Sequence, residues 1–374
     1  MTAVLKKRLR HGRKGEYAMV KKMICCVVVA ALAAAMLVMP GCSGVSESKG
    51  EINVFNWGEY ISNGEDGSMD VIDEFEKETG IKVNYTTYET NEEMYNILKS
   101  SNSSYDIIIP SDYMIAQLIE EGLLSELDFD NIPNYKNIME KYKKTDYDKD
   151  GKYSVPYSWG VVALCYNKTM VTEKPDSFSA LWDEKYSGQI LMFNNSRDAM
   201  AIAMKLKDID PSNVTKEDID IASDYLTEQK PILKKYVMDQ VFTEMEGSQA
   251  ALAPYYGGDI AVMMQNNEDL DYVLPKEGSN LFIDAMCIPK NSKNKELAEE
   301  FINFMLKAEV AESNAEYIGY STPNSAAYEL LDEDIKNNEL IYPSDEYLSK
   351  CYTFTNLPTD IYNYMQDNFL KVQS

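Results

Sequence analysis

Histidine is almost missing from this chain. The one copy in 374 residues is His11, inside a basic leader. The body therefore has no Ser–His–Asp triad, no Cys–His dyad, no imidazole base and no histidine metal ligand. Positive charge is scarce as well, with 36 Lys+Arg against 61 Asp+Glu and a formal net charge of −25. The first 42 residues hold eight of those bases and one acid, Glu16, which leaves 28 bases and 60 acids, or −32, on the rest. Such a surface repels phosphate backbones and excludes nucleic acid as a partner, while it draws cations. Paired cysteines are lacking too. Cys25, Cys26 and Cys42 belong to the leader, and Cys165, Cys287 and Cys351 are odd in number and far apart. That is no disulfide framework, no CxxC pair suggests zinc, and buried free thiols are expected. These absences predict neither an enzyme nor a cofactor.

What is present begins with the leader. Met23–Pro40 is an apolar run behind Lys21-Lys22, the build of a secretory signal, with a retained membrane span as the alternative. Met39-Pro40-Gly41-Cys42 resembles a bacterial lipobox, whose cysteine is lipidated, although Met39 stands where Leu is usual and Pro40 is uncommon there. Residues 1–42 thus read as signal peptide with lipobox, and 43–50 as a polar tether. Residues 1–18 precede a second plausible start at Met19. The expected location is extracytoplasmic, anchored to the cell membrane through Cys42.

Beyond the tether the chain is the size of two α/β domains. Strands are expected at 51–56, 81–85, 105–109, 161–166, 189–193, 250–253, 272–274 and 282–288, and helices at 69–79, 91–99, 114–121, 178–182, 197–207, 216–227 and 295–306. Strands alternating with helices imply a parallel sheet covered on both faces and a cleft between two α/β halves. Asp146–Gly151 fits the first half of a calcium loop, but its twelfth position is Tyr157 instead of Glu, so it reads as an acidic turn and no metal is assigned. Adjacent Tyr255 and Tyr256 raise ferric iron as an alternative, since phenolate is a hard anionic ligand.

The informative pattern is aromatic residues beside carboxylates at expected strand ends. Trp57-Gly58-Glu59-Tyr60 follows the first strand and Ser111-Asp112-Tyr113 the third. Tyr256-Gly257-Gly258-Asp259 and Phe282-Ile283-Asp284 lie in the second half. Ligands of open α/β sheets bind outside the carboxyl ends of strands. Aromatic faces with acids, and no nucleophile, suit a cation on an apolar stem through cation–π attraction and charge-assisted hydrogen bonds.

At these same segments the sequence closely resembles the spermidine/putrescine-binding proteins of bacterial polyamine ABC importers, from about residue 51 to 324. The landmarks are FNWGEYI (55–61), FEKETGIKVNY (75–85), YDIIIPSDY (105–113), YSVPYSWG (153–160), LPKEGSN (274–280) and IGYSTPN (318–324). The resemblance implies a two-lobed periplasmic-binding fold of type II with a hinged ligand cleft. It places 51–160 plus 285–328 in one lobe and 161–284 plus 329–374 in the other, with crossings near 160 and 285. It implies that Trp57, Tyr60, Tyr113, Tyr256, Phe282 and Tyr320 box the methylene stem and amines, with Tyr256 and Phe282 replacing tryptophans common in the family. Ser111 matches a hydroxyl contact, Asp284 the acid at a middle amine, and Asp198 an end acid that Arg197 orients. Two departures bear on chain-length preference. Asn195 stands where spermidine binders often carry Asp, and Asp259 is acidic where they are often neutral. Asp259 is alternatively a helix N-cap, and Glu59 is a further candidate acid. The implied protein is a monomeric receptor that hands a polyamine to ABC permease subunits. The alternatives are a receptor for another cationic solute or iron, and a two-carboxylate glycosidase using Asp198 and Asp284.

Overall fold

The computed structural model describes residues 49–374 except 101–103. The expected signal segment, Cys42 and nearly all of the expected tether lie outside the described residues. Among the latter, nine strands form one sheet, eight of them in a continuous hydrogen-bonded path and the ninth paired beside it. The first part alternates β1 (Gly50–Trp57), α1 (Val71–Thr79), β2 (Ile81–Tyr88), α2 (Asn91–Lys99), β3 (Ile107–Ile108) and α3 (Asp112–Glu120). Local chemistry sets these bounds. Asp70 caps α1 by accepting from Asp73 N, and Gly80 ends it in the left-handed region at φ 76°. Val71, Phe75 and Thr79 fall four residues apart and are buried, so one face of α1 packs inward.

After the short α4 (Glu140–Lys143) comes β4 (Ser154–Asn167), a single 14-residue strand. Then follow β5 (Ile190–Phe193), α5 (Ser196–Lys205), α6 (Lys216–Gln229), β6 (Leu233–Val237), α7 (Gln240–Glu246), β7 (Leu252–Tyr256), α8 (Gly257–Asn266), β8 (Leu270–Val273) and β9 (Leu281–Cys287). The remainder is helical: α9 (Lys295–Met305), α10 (Ala308–Ile318), α11 (Ser325–Leu330), α12 (Glu333–Lys336), α13 (Asp345–Leu348) and α14 (Thr359–Gln373).

The sheet is mixed, where alternation implied a parallel one. β1 runs parallel to β2 and β3, and β5 parallel to β6 and β7. Between these blocks β9 and β4 run antiparallel to their partners. β4 is shared. Its first half, to Val161, pairs with β9, and from Val162 onward it pairs with β7, with β8 alongside from Leu164. The switch falls at Val161–Val162, where Val162 N donates to Asn280 O instead. One apolar core gathers around β1, β3, α1 and α9, with a neighbouring cluster under α2 and α3. A separate core surrounds β5, β7, α5 and α6, and α14 contributes Met365, Phe369 and Val372 to it. These are the two lobes of the type II binding-protein fold. The expected strand at 105–109 shrinks to Ile107–Ile108, and the one at 161–166 begins seven residues earlier, at Ser154. β6, α7 and α10 escaped the sequence reading; the lysines of LKKYV in β6 hide its alternation.

The acidic turn at 146–151 has a structural task. Asp148 is buried, and its carboxylate accepts from Lys152 N, Tyr153 N, Ser154 N and Ser154 Oγ at 2.8–3.1 Å. Its oxygens are already used to launch β4. Cys165 and Cys287 are buried free thiols and Cys351 is a half-buried one. Asp148→Ala leaves those donors unpaired and is expected to destabilise the protein by about 3 kcal/mol. Denaturant unfolding measures that loss, and added calcium leaves the wild-type midpoint unmoved.

Candidate functional site

A cavity lies between the lobes, with about 640 Å3 free of protein atoms when the open solvent at its mouth is included. Eleven of the twelve expected contact residues line it: Trp57, Tyr60, Ser111, Tyr113 and Asn195, then Asp198, Tyr256, Asp259, Phe282, Asp284 and Tyr320. Glu59 does not. It holds φ 49°, uncommon for a residue with a Cβ, and its exposed side chain faces an outer acidic cavity that shares Asp239 and Asp259 with the inner one.

Strand ends and helix starts place these groups. Trp57 ends β1, and its indole Nε1 donates to Ile109 O at 2.8 Å, which fixes the ring across the end of β3. Ser111 precedes α3; Asn91 Oδ1 accepts from its amide at 3.2 Å, and Asn91 Nδ2 donates to Tyr113 Oη at 3.1 Å. Tyr113 in turn donates to Glu92 at 3.0 Å. Tyr60 donates to Asp284 Oδ2 at 2.7 Å and shares a short hydrogen bond with Ser158. Asn195 is the N-cap of α5, accepting from Arg197 N and Asp198 N, and its Nδ2 donates to Asp198 Oδ2 at 2.9 Å.

Rings surround the carboxylates. Tyr60 meets Tyr320 edge-on at 5.1 Å, Phe282 meets Tyr320 at 6.0 Å, and Tyr256 meets Phe282 edge-on at 5.3 Å. Tyr320 fits only because Gly258 has no side chain: a Cβ there would lie 2.1 Å from the ring. Tyr256 does more than wall the box, since its hydroxyl donates to Asp198 Oδ2 at 2.9 Å. Tyr255 instead stacks on Phe193 at 5.2 Å. The Tyr256 hydroxyl that iron would need is thus engaged with a carboxylate.

Arg197 does not hydrogen-bond Asp198, contrary to the orienting role the resemblance implied. Its guanidinium lies between the Tyr113 and Phe354 rings, 4.7 and 4.4 Å from their centroids, and Nη2 donates to Thr355 O. Asn195 and Tyr256 orient Asp198 instead. Asp259 is also not a helix cap, because α8 has no side-chain cap hydrogen bond.

Six carboxyl groups and no basic side chain line the cavity: Glu89, Asp112, Asp198, Asp239, Asp259 and Asp284. Burial pushes Asp112 up to about 8, helped by the Asp284 charge, and Asp259 to about 8, helped by Asp239 and Glu59. Asp198 rises to about 7 by burial, against the hydrogen bond from Tyr256 and the nearby Arg197 charge. Asp284 rises by burial to about 6 although Tyr60 holds it down. Asp198 Oδ1, Asp284 Oδ1 and Asn280 Oδ1 are buried without a partner in the protein. The arrangement accepts hydrogen bonds and repels anions, which is what a polycation requires. Asp112, Asp239, Asn280 and Phe354 were not anticipated as contacts. Asp112 stood in plain view between Ser111 and Tyr113, whereas Asp239 follows the unrecognised β6.

Comparison with known proteins agrees with this geometry. The family described as bacterial extracellular solute-binding protein matches residues 70–343. The spermidine/putrescine-binding periplasmic protein of Escherichia coli is 32% identical over 84% of this chain and 89% of its own. A solved structure from Listeria monocytogenes, assigned to a spermidine/putrescine ABC transporter, is 38% identical with TM-score 0.82, covering 86% of this chain and 98% of that one. The substrate-binding protein PotD of Streptococcus pneumoniae is 35% identical with TM-score 0.73, over the same shares.

An acid whose pKa is raised on folding adds stability below its unfolded value that is lost as pH rises through the folded one. For Asp259 that window runs from about 4 to about 8. Asp259→Asn is therefore expected to raise the melting temperature of ligand-free protein at pH 8, by about 1–2 kcal/mol of stability, and to change it little at pH 4. Scanning calorimetry at both pH values checks this, and a lowered midpoint at pH 8 refutes it.

Proposed function

The chain belongs to the bacterial extracellular solute-binding protein family, with the spermidine/putrescine-binding periplasmic proteins, and from that premise we propose that it captures a polyamine between its lobes and delivers it to an ABC permease. The observation that carries the reading is the acid-lined, base-free cavity with buried acceptor oxygens on Asp198 and Asp284 left unpartnered. Polyamine amines are protonated at neutral pH, so capture needs charge matching and closure with no proton transfer to the ligand. Ammonium groups supply the counter-charge that the buried acids lack, and the aromatic rings cover the methylene stem. Asp198 and Asp259 come from elements of one lobe and Trp57 and Tyr60 from the other, while Asp284 sits at the crossing, on β9 opposite Ser158 of β4. A ligand held by both sets binds the closed form better and shifts the equilibrium toward it.

In this proposal the lobes are 51–160 with 285–328 and 161–284 with 329–374. The twelve residues named from the resemblance serve binding, with Glu59 at the outer rim. The protein acts as a monomer without catalysis and is tied to the membrane by a lipid on Cys42.

Asp284→Asn removes a charge-assisted bond of about 1.5–3 kcal/mol and is expected to weaken spermidine and putrescine binding by roughly tenfold to a hundredfold. Calorimetry measures it, and affinities within twofold of wild type would take Asp284 out of the contact set. The anchor is tested separately. Cys42→Ala is expected to move the protein from membrane to soluble fractions with ligand affinity unchanged. Wild-type protein that is already soluble, with an unmodified amino terminus by mass spectrometry, refutes the lipid.

A further inference from the structure

The chain beyond residue 350 carries no recognisable motif, yet it reaches the cavity. From Cys351 to Pro358 it runs without helix as a strap along the cleft. Leu281 N donates to Tyr352 O at 2.8 Å and Tyr352 N to Ser279 O at 3.1 Å, which stitches the strap beside the start of β9. Thr355 O accepts from Arg197 Nη2 at 2.9 Å, and Thr355 Oγ1 donates to Ser212 O at 2.8 Å. Asn356 Nδ2 then donates to Glu120 Oε2, at 2.6 Å, on α3 of the other lobe. Between these anchors Phe354 turns inward. Its ring is 7% exposed, lines the cavity and meets Tyr113 edge-on at 5.9 Å. Behind it lies the buried Arg197 guanidinium, whose Nε and Nη1 have no partner in the protein. The ring occupies the space an alkyl chain would enter, and the fixed positive charge repels any ammonium that would follow it.

We propose that this strap is the end wall of the cavity, with Phe354 backed by Arg197 limiting how far an ammonium chain extends past Asp198 and so selecting ligand length. The inference rests on the polyamine reading above. Phe354 is then a specificity-determining residue supplied by the tail, and the Asn356–Glu120 bond ties that wall to both lobes.

The test measures affinities by calorimetry for wild type, Phe354→Leu and Phe354→Ala. The ligands are putrescine, spermidine, the tetraamine spermine, and α,ω-diamines of increasing methylene count. Wild type is expected to lose affinity sharply beyond one diamine length. Phe354→Ala is expected to move that limit to longer chains and raise the tetraamine-to-diamine affinity ratio by about tenfold or more, with Phe354→Leu between. A wild type that accepts ever longer diamines without a drop overturns the proposal. So does a cooperatively melting variant whose ratio stays the same or falls. Should Phe354→Ala fail to fold, Phe354→Leu and the wild-type length series decide. Wild-type protein that binds none of the amines removes the polyamine reading and the wall with it. Normal wild-type binding with an unmoved ratio removes the wall alone.

Discussion

Carboxylates buried without a protein cation are the constraint on which the rest of this structure turns. A charge withdrawn from water is costly unless it is paired, and proteins avoid the cost by neutralising the group or supplying a partner. Here Asp112, Asp198, Asp259 and Asp284 sit in one cavity, and burial drives all four upward. The nearby Arg197 is set between two rings instead of being paired with any of them. The protein keeps the acids in place with neutral donors: Tyr60 on Asp284, Tyr256 and Asn195 on Asp198, and backbone amides on Asp112. Those bonds orient the oxygens but leave the charge to be balanced from outside. Stability and ligand affinity are thereby opposed, because the groups that burden the ligand-free fold are the ones that hold the cation.

Shape selectivity comes from the rings and from the room made for them. Phe282 enters from β9, Tyr256 from the end of β7 and Tyr320 from the turn after α10. Gly319 ends α10 at φ 75°, and a Cβ on it would lie 2.8 Å from Gly258 O. Two glycines in contact thus bring the α10 turn against the start of α8 and seat Tyr320 over Asp259. Aromatic side chains add area with few rotors to immobilise, so the box costs little entropy to hold ready.

Much of this was legible before any coordinates. FNWGEYI and PSDY could be read because a strand end is a local event: the apolar run stops, and the next residues face the crevice. The parallel blocks of the sheet followed from alternation, whereas its antiparallel middle did not, since the pairing of β4 with β9 joins residues about 130 apart. Arg197 was misread for the same reason. Adjacency to Asp198 suggested a contact, but both residues lie in the first turn of α5 and point to different neighbours. Phe354 and Asp239 gave no signal, since their position depends on contacts far away in sequence. Glu59 was named from its motif, and only the folded chain shows that it lines the outer cavity instead of the inner one.

The free cysteines carry a consequence for how such a protein is made. Cys165 lies in the core of one lobe and Cys287 in the cluster under α2 and α3 of the other, and burial pushes both thiols far above their ordinary range. Two thiols enclosed in different cores cannot meet in the native state, and neither offers the exposed thiolate that oxidants attack. As far as these two thiols go, the two cores are indifferent to redox potential. No bond between them has to form, so this pair asks nothing of a thiol oxidase or disulfide isomerase, in reducing and oxidising surroundings alike.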